Sequence, residues 1–268
     1  MKISLLDRVL AFQHRRRWRG RSRVRTLLQR HQPYFLIRAR TRHGLTLALD
    51  PSQYVDGTVI DAGYYEEEVL SAILQHVGET GVFWDVGANI GLHSITVKHL
   101  RPSATVIAFE PSPFTFVRLA SNVAETGVEV RLLNVALNET VGYFTLSLMM
   151  QGNSGLTSLR PWHGVNYEST MLCRCETGES VLASARLPVP TVMKIDVEGL
   201  EYEVLAGFGS ILAARQLRAV VFEAQADFLD RPDAYPIWRL VTDAGFTVTA
   251  LPAPGSADPV TNFLAVRE

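Results

Sequence analysis

Cysteine is scarce in this chain, with only Cys173 and Cys175 in 268 residues. Two cysteines one residue apart make no disulfide framework, and a C-x-C without further cysteines is weak support for a metal. That usage points to a reducing, cytoplasmic compartment. No apolar run approaches the roughly 18 residues of a membrane span. The opening residues lack the charged-then-apolar order of a secretory signal, because the arginines follow the apolar stretch. No His, Cys or carboxylate spacing argues for a structural or catalytic metal, although clustered carboxylates leave weak divalent-ion binding open. With 47% apolar and 20% charged residues, the composition is that of an ordinary globular protein. Its length suits one large α/β domain, or one domain with an appendage.

Acidic residues are nearly missing from the start. Residues 1–42 hold 13 of the 26 Lys and Arg against one acid, Asp7, a local balance of +12. The remainder holds 13 basic and 26 acidic side chains, or −13. Such an arm can grip nucleic acid or touch a membrane surface peripherally, or it can pack on its own acidic domain or on a second subunit of a homodimer. Ile3, Leu6, Val9, Leu10 and Phe12 have helical spacing, and a second basic helical piece is expected over 22–30. Alternation over 34–41 and 45–49, on either side of Arg42-His43-Gly44, reads as a β-hairpin. Residues 1–50 are therefore expected to form a basic extension, and 51–268 the main domain.

A helix is expected from Gly63 to about residue 76, with Glu66, Glu67 and Glu68 at its positive N-terminal end. From residue 82 strands alternate with helices, which implies a parallel sheet with right-handed crossovers. The expected strands are 82–86, 105–110, 129–136, 191–196, 219–223, 247–251 and 262–266, the last two an antiparallel hairpin. Helices are expected over 91–100, 113–126, 202–212 and 234–244. Residues 138–190 form a long insertion with one strand, 142–148, and a polar loop at 151–155. Long insertions of this kind are commonly lids or substrate-binding segments.

The chain is organised around Asp85-Val86-Gly87-Ala88-Asn89-Ile90-Gly91, which joins a buried strand to a helix through two glycines. In an open α/β sheet, ligands sit at this carboxyl end of the strands. Glycines at 87 and 91 would let the backbone pass close to a ligand. The spacing is G-x-x-x-G, so the middle glycine of a dinucleotide fold is absent and a nicotinamide cofactor is disfavoured. Glu110 ends the next strand, where an acid typically binds ribose hydroxyls. Asp196 and Glu198 follow the fourth strand, and Glu223 the fifth. Carboxylates meeting at one edge repel unless cations offset them. A nucleoside carrying a sulfonium and an ammonium fits, which is S-adenosylmethionine. Asp85 would face the ligand's amino-acid end or orient the glycine turn.

Taken in order, these residues resemble the FkbM family of S-adenosylmethionine-dependent methyltransferases. Asp85, Gly87, Ala88, Asn89 and Gly91 are similar to its first cofactor motif. Glu110, Pro111 and Ser112 resemble the ribose-binding acid and its turn, and Ala136 and Leu137, after Asn134-Val135, the segment bordering the adenine. Lys194-Ile195-Asp196-Val197-Glu198-Gly199 is the most family-specific stretch, and Gly63-Tyr64-Tyr65-Glu66 is also similar. One departure is visible: Glu179-Ser180-Val181-Leu182 stands where the family usually has a Leu-Asp pair. The resemblance implies a Rossmann-like class I methyltransferase sheet of seven strands and O-methylation, frequently of sugar hydroxyls.

A hydroxyl acceptor must lose a proton, so a general base is expected among Asp196, Glu198, His93 and Glu66. Lys194 is expected to point away from Asp196 and balance charge, Asn153 and Ser154 to touch the acceptor, and Phe114 to border the cofactor. Trp84 and Phe109 are expected in the core. The competing readings are RNA methylation and a non-catalytic scaffold attached through the arm. The chain lacks the Asn/Asp-Pro-Pro-aromatic signature of amino methylation on bases. Trp18 is alone among the arm's arginines, where base stacking needs more aromatics. Intact Asp85, Gly87, Glu110 and Asp196 argue against the scaffold.

Overall fold

The computed structural model describes residues 36–252 and 260–267. The two helical pieces read over 3–12 and 22–30 lie outside the described residues, as does most of the connection between the last two strands.

The hairpin forms as expected, with β1 (Ile37–Arg40) antiparallel to β2 (Thr46–Leu49). Two helices follow it where one was expected. α1 (Tyr54–Ala62) closes on Gly63, whose φ of +88° lets its N–H reach the Val59 carbonyl at 2.8 Å. α2 (Glu67–Val77) then starts with Glu67 and Glu68 in its first turn. Gly63 therefore ends one helix and does not open the next.

The alternating part continues with β3 (Val82–Val86), α3 (Leu92–Leu100), β4 (Thr105–Phe109), α4 (Pro113–Thr126), β5 (Arg131–Leu133) and β6 (Ala136–Leu137). In the insertion come β7 (Gly142–Leu148), β8 (Ser169–Glu176) and α5 (Gly178–Ser184). Then follow β9 (Val192–Ile195), α6 (Glu201–Ala206), β10 (Ala219–Gln225), α7 (Pro236–Asp243), β11 (Thr247–Ala250) and β12 (Val260–Val266). Local chemistry explains the boundaries of α4 well. The Ser112 hydroxyl accepts the Thr115 N–H, Pro113 fills the first turn where no N–H is needed, and Gly127 caps the end at φ +70°. The helix expected over 202–212 breaks instead into α6 and a 3-10 turn, Gly209–Ala213, with Gly207 at the break.

Seven strands make the main sheet, in the order β11-β12-β10-β9-β3-β4-β5. All neighbours are parallel except those involving β12, which runs antiparallel to β10 and β11. This is the Rossmann-like methyltransferase sheet. The strand expected over 129–136 is split. After β5 the Asn134 amide donates to the carbonyls of Glu110 (2.7 Å) and Pro111 (3.0 Å), and the chain leaves the sheet. Ala136 and Leu137 then pair with Cys175 and Glu176 of β8, in a separate three-stranded sheet with β7.

Both faces of the main sheet are covered, so its strands read as apolar runs. Trp84, Phe109, Phe208 and Phe222 centre one face, and the indole of Trp84 donates to the Pro188 carbonyl at 3.2 Å. On the other face Phe83, Val106, Val192 and Val221 share a cluster with Ile37, Leu47, Leu49, Val59 and Ile73. No break in packing falls at Pro51. Among the described residues no helix is long and apolar enough to cross a membrane. The feature that matters for function is the position of β3. The chain leaves it for β4 on one side and later returns to β9 on the other. At such a switch point the crevice lies at the carboxyl ends of the strands, here β3 and β9.

Candidate active site

A cavity of about 370 Å³ opens at that crevice. Its walls include Gly87 and Asn89 after β3, Glu110 and Pro111 after β4, Ala136 and Leu137 of β6, and Asp196 and Glu198 after β9. Glu66 and Glu223 also line it, and the insertion contributes Asn153 to Leu159. Among the residues in the walls that were not anticipated are Tyr54, Leu146 and Leu200. The site is thus assembled from sheet-end loops, the α1–α2 junction and the insertion.

Four residues of the expected set stand behind the wall. Asp85 is buried, its Oδ2 accepting the Ser94 N–H (3.1 Å) and hydroxyl (2.5 Å) in the first turn of α3. It therefore fixes the first turn of α3, the helix that follows the glycine turn. Ala88 is buried beside it and donates its N–H to the Phe109 carbonyl at 2.9 Å. Gly91, at φ +85°, leads into α3. Ser112 supports Glu110. Gly87 needs its glycine for a reason other than ligand approach. At φ +81°, a Cβ there would lie 1.8 Å from the Asp196 carbonyl oxygen. The loops after β3 and β9 touch backbone to backbone at this point.

His93 does not reach the cavity. It is 5% exposed, edge-on to Tyr64 with ring centroids 5.8 Å apart. Burial first, then Lys194, depresses its pKa to about 3, so it is a neutral ring in the interior. Proximity in sequence to the turn placed it near the site, but the first turn of α3 faces it inward. Phe114 is 58% exposed and outside the walls as well.

Glu110 has each carboxylate oxygen on one backbone N–H, Oε2 from Asn89 (3.0 Å) and Oε1 from Ser112 (2.9 Å). Each oxygen keeps a lone pair for a further donor. Burial lifts its pKa to about 7 against these two hydrogen bonds. At the other end of the cavity the carboxylates crowd. Burial and the charge of Asp196 raise Glu66 to about 7, Glu198 to about 8 and Glu223 to about 9. Glu66 holds a left-handed φ of 56°; its Oε1 accepts the Asn262 amide at 3.0 Å and its Oε2 is buried without a partner. Glu198 is also left-handed, φ 61°. Behind it Glu201 accepts the N–H groups of Val197 (3.1 Å) and Gly199 (3.3 Å), fixing the loop after β9.

Lys194 corrects another expectation. It does not point away from Asp196 but donates to its Oδ2 at 2.9 Å, with Asp85 Oδ1 4.0 Å from the same ammonium. Residues two apart in a strand share a face, and register sets Lys194 directly opposite Asp85. Burial alone would depress this lysine, but Asp196, Asp85 and Glu66 hold it above its usual value. Among the described residues no group of three or more His, Cys, Asp or Glu is arranged to hold a metal ion.

The sequence profile described as the methyltransferase FkbM domain matches residues 85–248, which span β3 to β11 and every wall of the cavity except the start of α1 and the α1–α2 junction. The chain belongs to the FkbM methyltransferase family. S-adenosylmethionine is accordingly its cofactor. Hexuronic acid methyltransferase AglP of Haloferax volcanii is 33% identical over 162 residues, 60% of this chain and 64% of that protein's length. The 31-O-demethyl-FK506 methyltransferase FkbM of Streptomyces tacrolimicus is 30% identical over 213 residues, 69% of this chain and 80% of its own. A solved methyltransferase FkbM from Methylobacillus flagellatus is 14% identical, with a TM-score of 0.47 over 79% of this chain and 52% of that one.

The cavity of this FkbM member fits the cofactor on its own chemistry. Lone pairs of Glu110 stand ready for hydroxyl donors, the Asn89 Oδ1 is buried without a partner, and carboxyl groups crowded elsewhere in the wall would be relieved by a cationic ligand. Substituting Glu110→Ala is expected to weaken S-adenosylhomocysteine binding by about 1–3 kcal/mol, as for a lost charge-assisted hydrogen bond. Isothermal titration calorimetry reads this directly, and an unchanged Kd would remove Glu110 from the cofactor site.

Proposed function

We propose that this chain transfers a methyl group from S-adenosylmethionine to a hydroxyl of a sugar or other small molecule. The observation that carries this reading is the unpartnered, buried Oε2 of Glu66 among the carboxylates at the far end of the cavity. When bound, the cofactor supplies an electrophilic methyl on a cationic sulfur and leaves as neutral S-adenosylhomocysteine. The chain's own task is to hold both partners in an attacking geometry and to take up the proton that the hydroxyl loses. Glu110 and Asn89, with Pro111, Ala136 and Leu137, form the nucleoside end. Glu66, Asp196 and Glu198 form the proton-accepting end. Glu66, pushed up to about 7, is basic enough to accept a proton near neutral pH and has a free oxygen to do so.

The test uses Glu66→Gln, Asp196→Asn and Glu198→Gln, assayed by mass spectrometry against hexoses, hexuronic acids and RNA. Loss of the base should cost about 100-fold or more in kcat, with S-adenosylhomocysteine affinity within a few fold of wild type. If Glu66 is that base, the acid limb of the pH–rate profile near 7 disappears in its variant. Full kcat in all three variants would refute a carboxylate base, and methylation of RNA alone would overturn the sugar assignment.

A further inference from the structure

A second cavity, of about 450 Å³, lies on the other side of Glu198 and Glu223, which line both. Three aromatic side chains join them in its wall, Trp162 from the insertion, Tyr202 from α6 and Tyr235 ahead of α7, beside polar neighbours that include Arg160, His163 and Gln225. Trp162 and Tyr202 are each 38% exposed, so ring surface stands open on this side. The Trp162 ring lies over Gly199, where a Cβ would come within 3.2 Å of it. The insertion therefore covers the cofactor cavity with residues 153–159 and continues directly into this wall at 160–163.

Resting on the methyl-transfer reading above, we propose that this second cavity is the acceptor subsite and takes one uncharged, hydroxyl-rich sugar ring. Flat apolar C–H faces of a pyranose match the planes of Trp162 and Tyr202, and aromatic surface beside polar groups is typical of ligand pockets. Ring hydroxyls are donors, and the polar groups at the shared wall are carboxylates, which accept. A hydroxyl between Glu198 and Glu223 faces the cofactor cavity. An acidic sugar is disfavoured here because the cavity's arginine is already committed. Arg160 donates to the Gly199 carbonyl at 3.0 Å and pairs with Glu203. A uronate carboxylate would instead meet Glu198, Glu201 and Glu223.

The experiment is saturation-transfer NMR on the full chain loaded with S-adenosylhomocysteine. The probes are methyl α-D-glucopyranoside, methyl α-D-mannopyranoside and methyl α-D-galactopyranoside, with methyl glucopyranosiduronate as the charged arm. At least one neutral glycoside should bind, and Trp162→Ala and Tyr202→Ala should each weaken it tenfold or more. Tyr202→Phe, which keeps the ring, should restore binding. Calorimetry on the same variants should give an S-adenosylhomocysteine Kd within twofold of wild type, which shows that they are folded. The proposal is overturned if S-adenosylhomocysteine binds but no neutral glycoside does, if the uronate binds more tightly, or if both alanine variants bind the glycoside normally. Failure of S-adenosylhomocysteine to bind the wild-type chain would overturn the cofactor reading itself, and this inference with it.

Discussion

Gly87→Ala is expected to lower folding stability by about 4 kcal/mol or more, in the range reserved for severe steric or backbone defects. Two penalties combine there. The φ of +81° is one that an L-residue adopts only at a cost of about 1–2 kcal/mol, and the new methyl would sit 1.8 Å from the Asp196 carbonyl oxygen. That oxygen belongs to the backbone and cannot turn aside as a long side chain would. Gly127→Ala is the matched control: its φ is +70°, and nothing lies within 4 Å of the added methyl. It should cost only the conformational part, about 1–2 kcal/mol. Urea unfolding of both variants separates the terms. Equal losses in the two would show that contact between the loops contributes nothing.

Lys194→Met should cost about 3–5 kcal/mol at pH 8, the usual consequence of leaving buried charges without their partner. Its ammonium stands against Asp196, Asp85 and, through space, Glu66. The pH dependence follows from linkage. Asp85 and Glu66 already have pKa values raised above those of the unfolded chain, Glu66 to about 7 from 4.5. Between the unfolded and folded values the native state binds more protons, so stability falls as pH rises. Removing Lys194 raises these folded values further and steepens the fall. The deficit should therefore shrink toward pH 4–5, where the folded carboxyls have taken up protons and no longer need the ammonium. Lys194→Met combined with Asp85→Asn should regain part of the loss at pH 8. A pH-independent deficit would mean that Lys194 contributes packing rather than charge.

The strand–glycine–helix transition at 85–91 was legible because it is local: a buried run, an acid and two glycines in a dozen residues. Glu110 was legible by counting one helix and one strand onward. The ends of α4 could be read from Ser112, Pro113 and Gly127 alone. Residues whose roles depend on distant partners were harder to read. In β8 only Cys173 and Cys175 are buried, and Leu172 is 65% exposed, so the apolar alternation that marks a strand is blurred. Tyr54 joins the cavity from the start of α1, a helix for which 54–62 carry no strong apolar period, and Tyr65 from the turn between α1 and α2, where the expected helix began at Gly63. Glu201 carries no local mark of its role in fixing the loop after β9. The orientation of Lys194, by contrast, was present in the two-residue spacing and was misjudged.

The short strand Ala136–Leu137 makes the insertion a poor cassette. Its two residues line the cofactor cavity and are at the same time an edge of the insertion's own sheet, in register with Cys175 and Glu176. Exchanging 138–190 between relatives to change the acceptor would carry away half of that pairing. A graft that begins at 138 and replaces 173–176 should lose cofactor affinity together with the old specificity. One that keeps residues 136–148 and 169–176 and exchanges only 149–168 leaves that pairing whole while it changes the walls at 153–159 and 160–163. The practical boundary for re-engineering this protein therefore lies inside the insertion, at the ends of its strands.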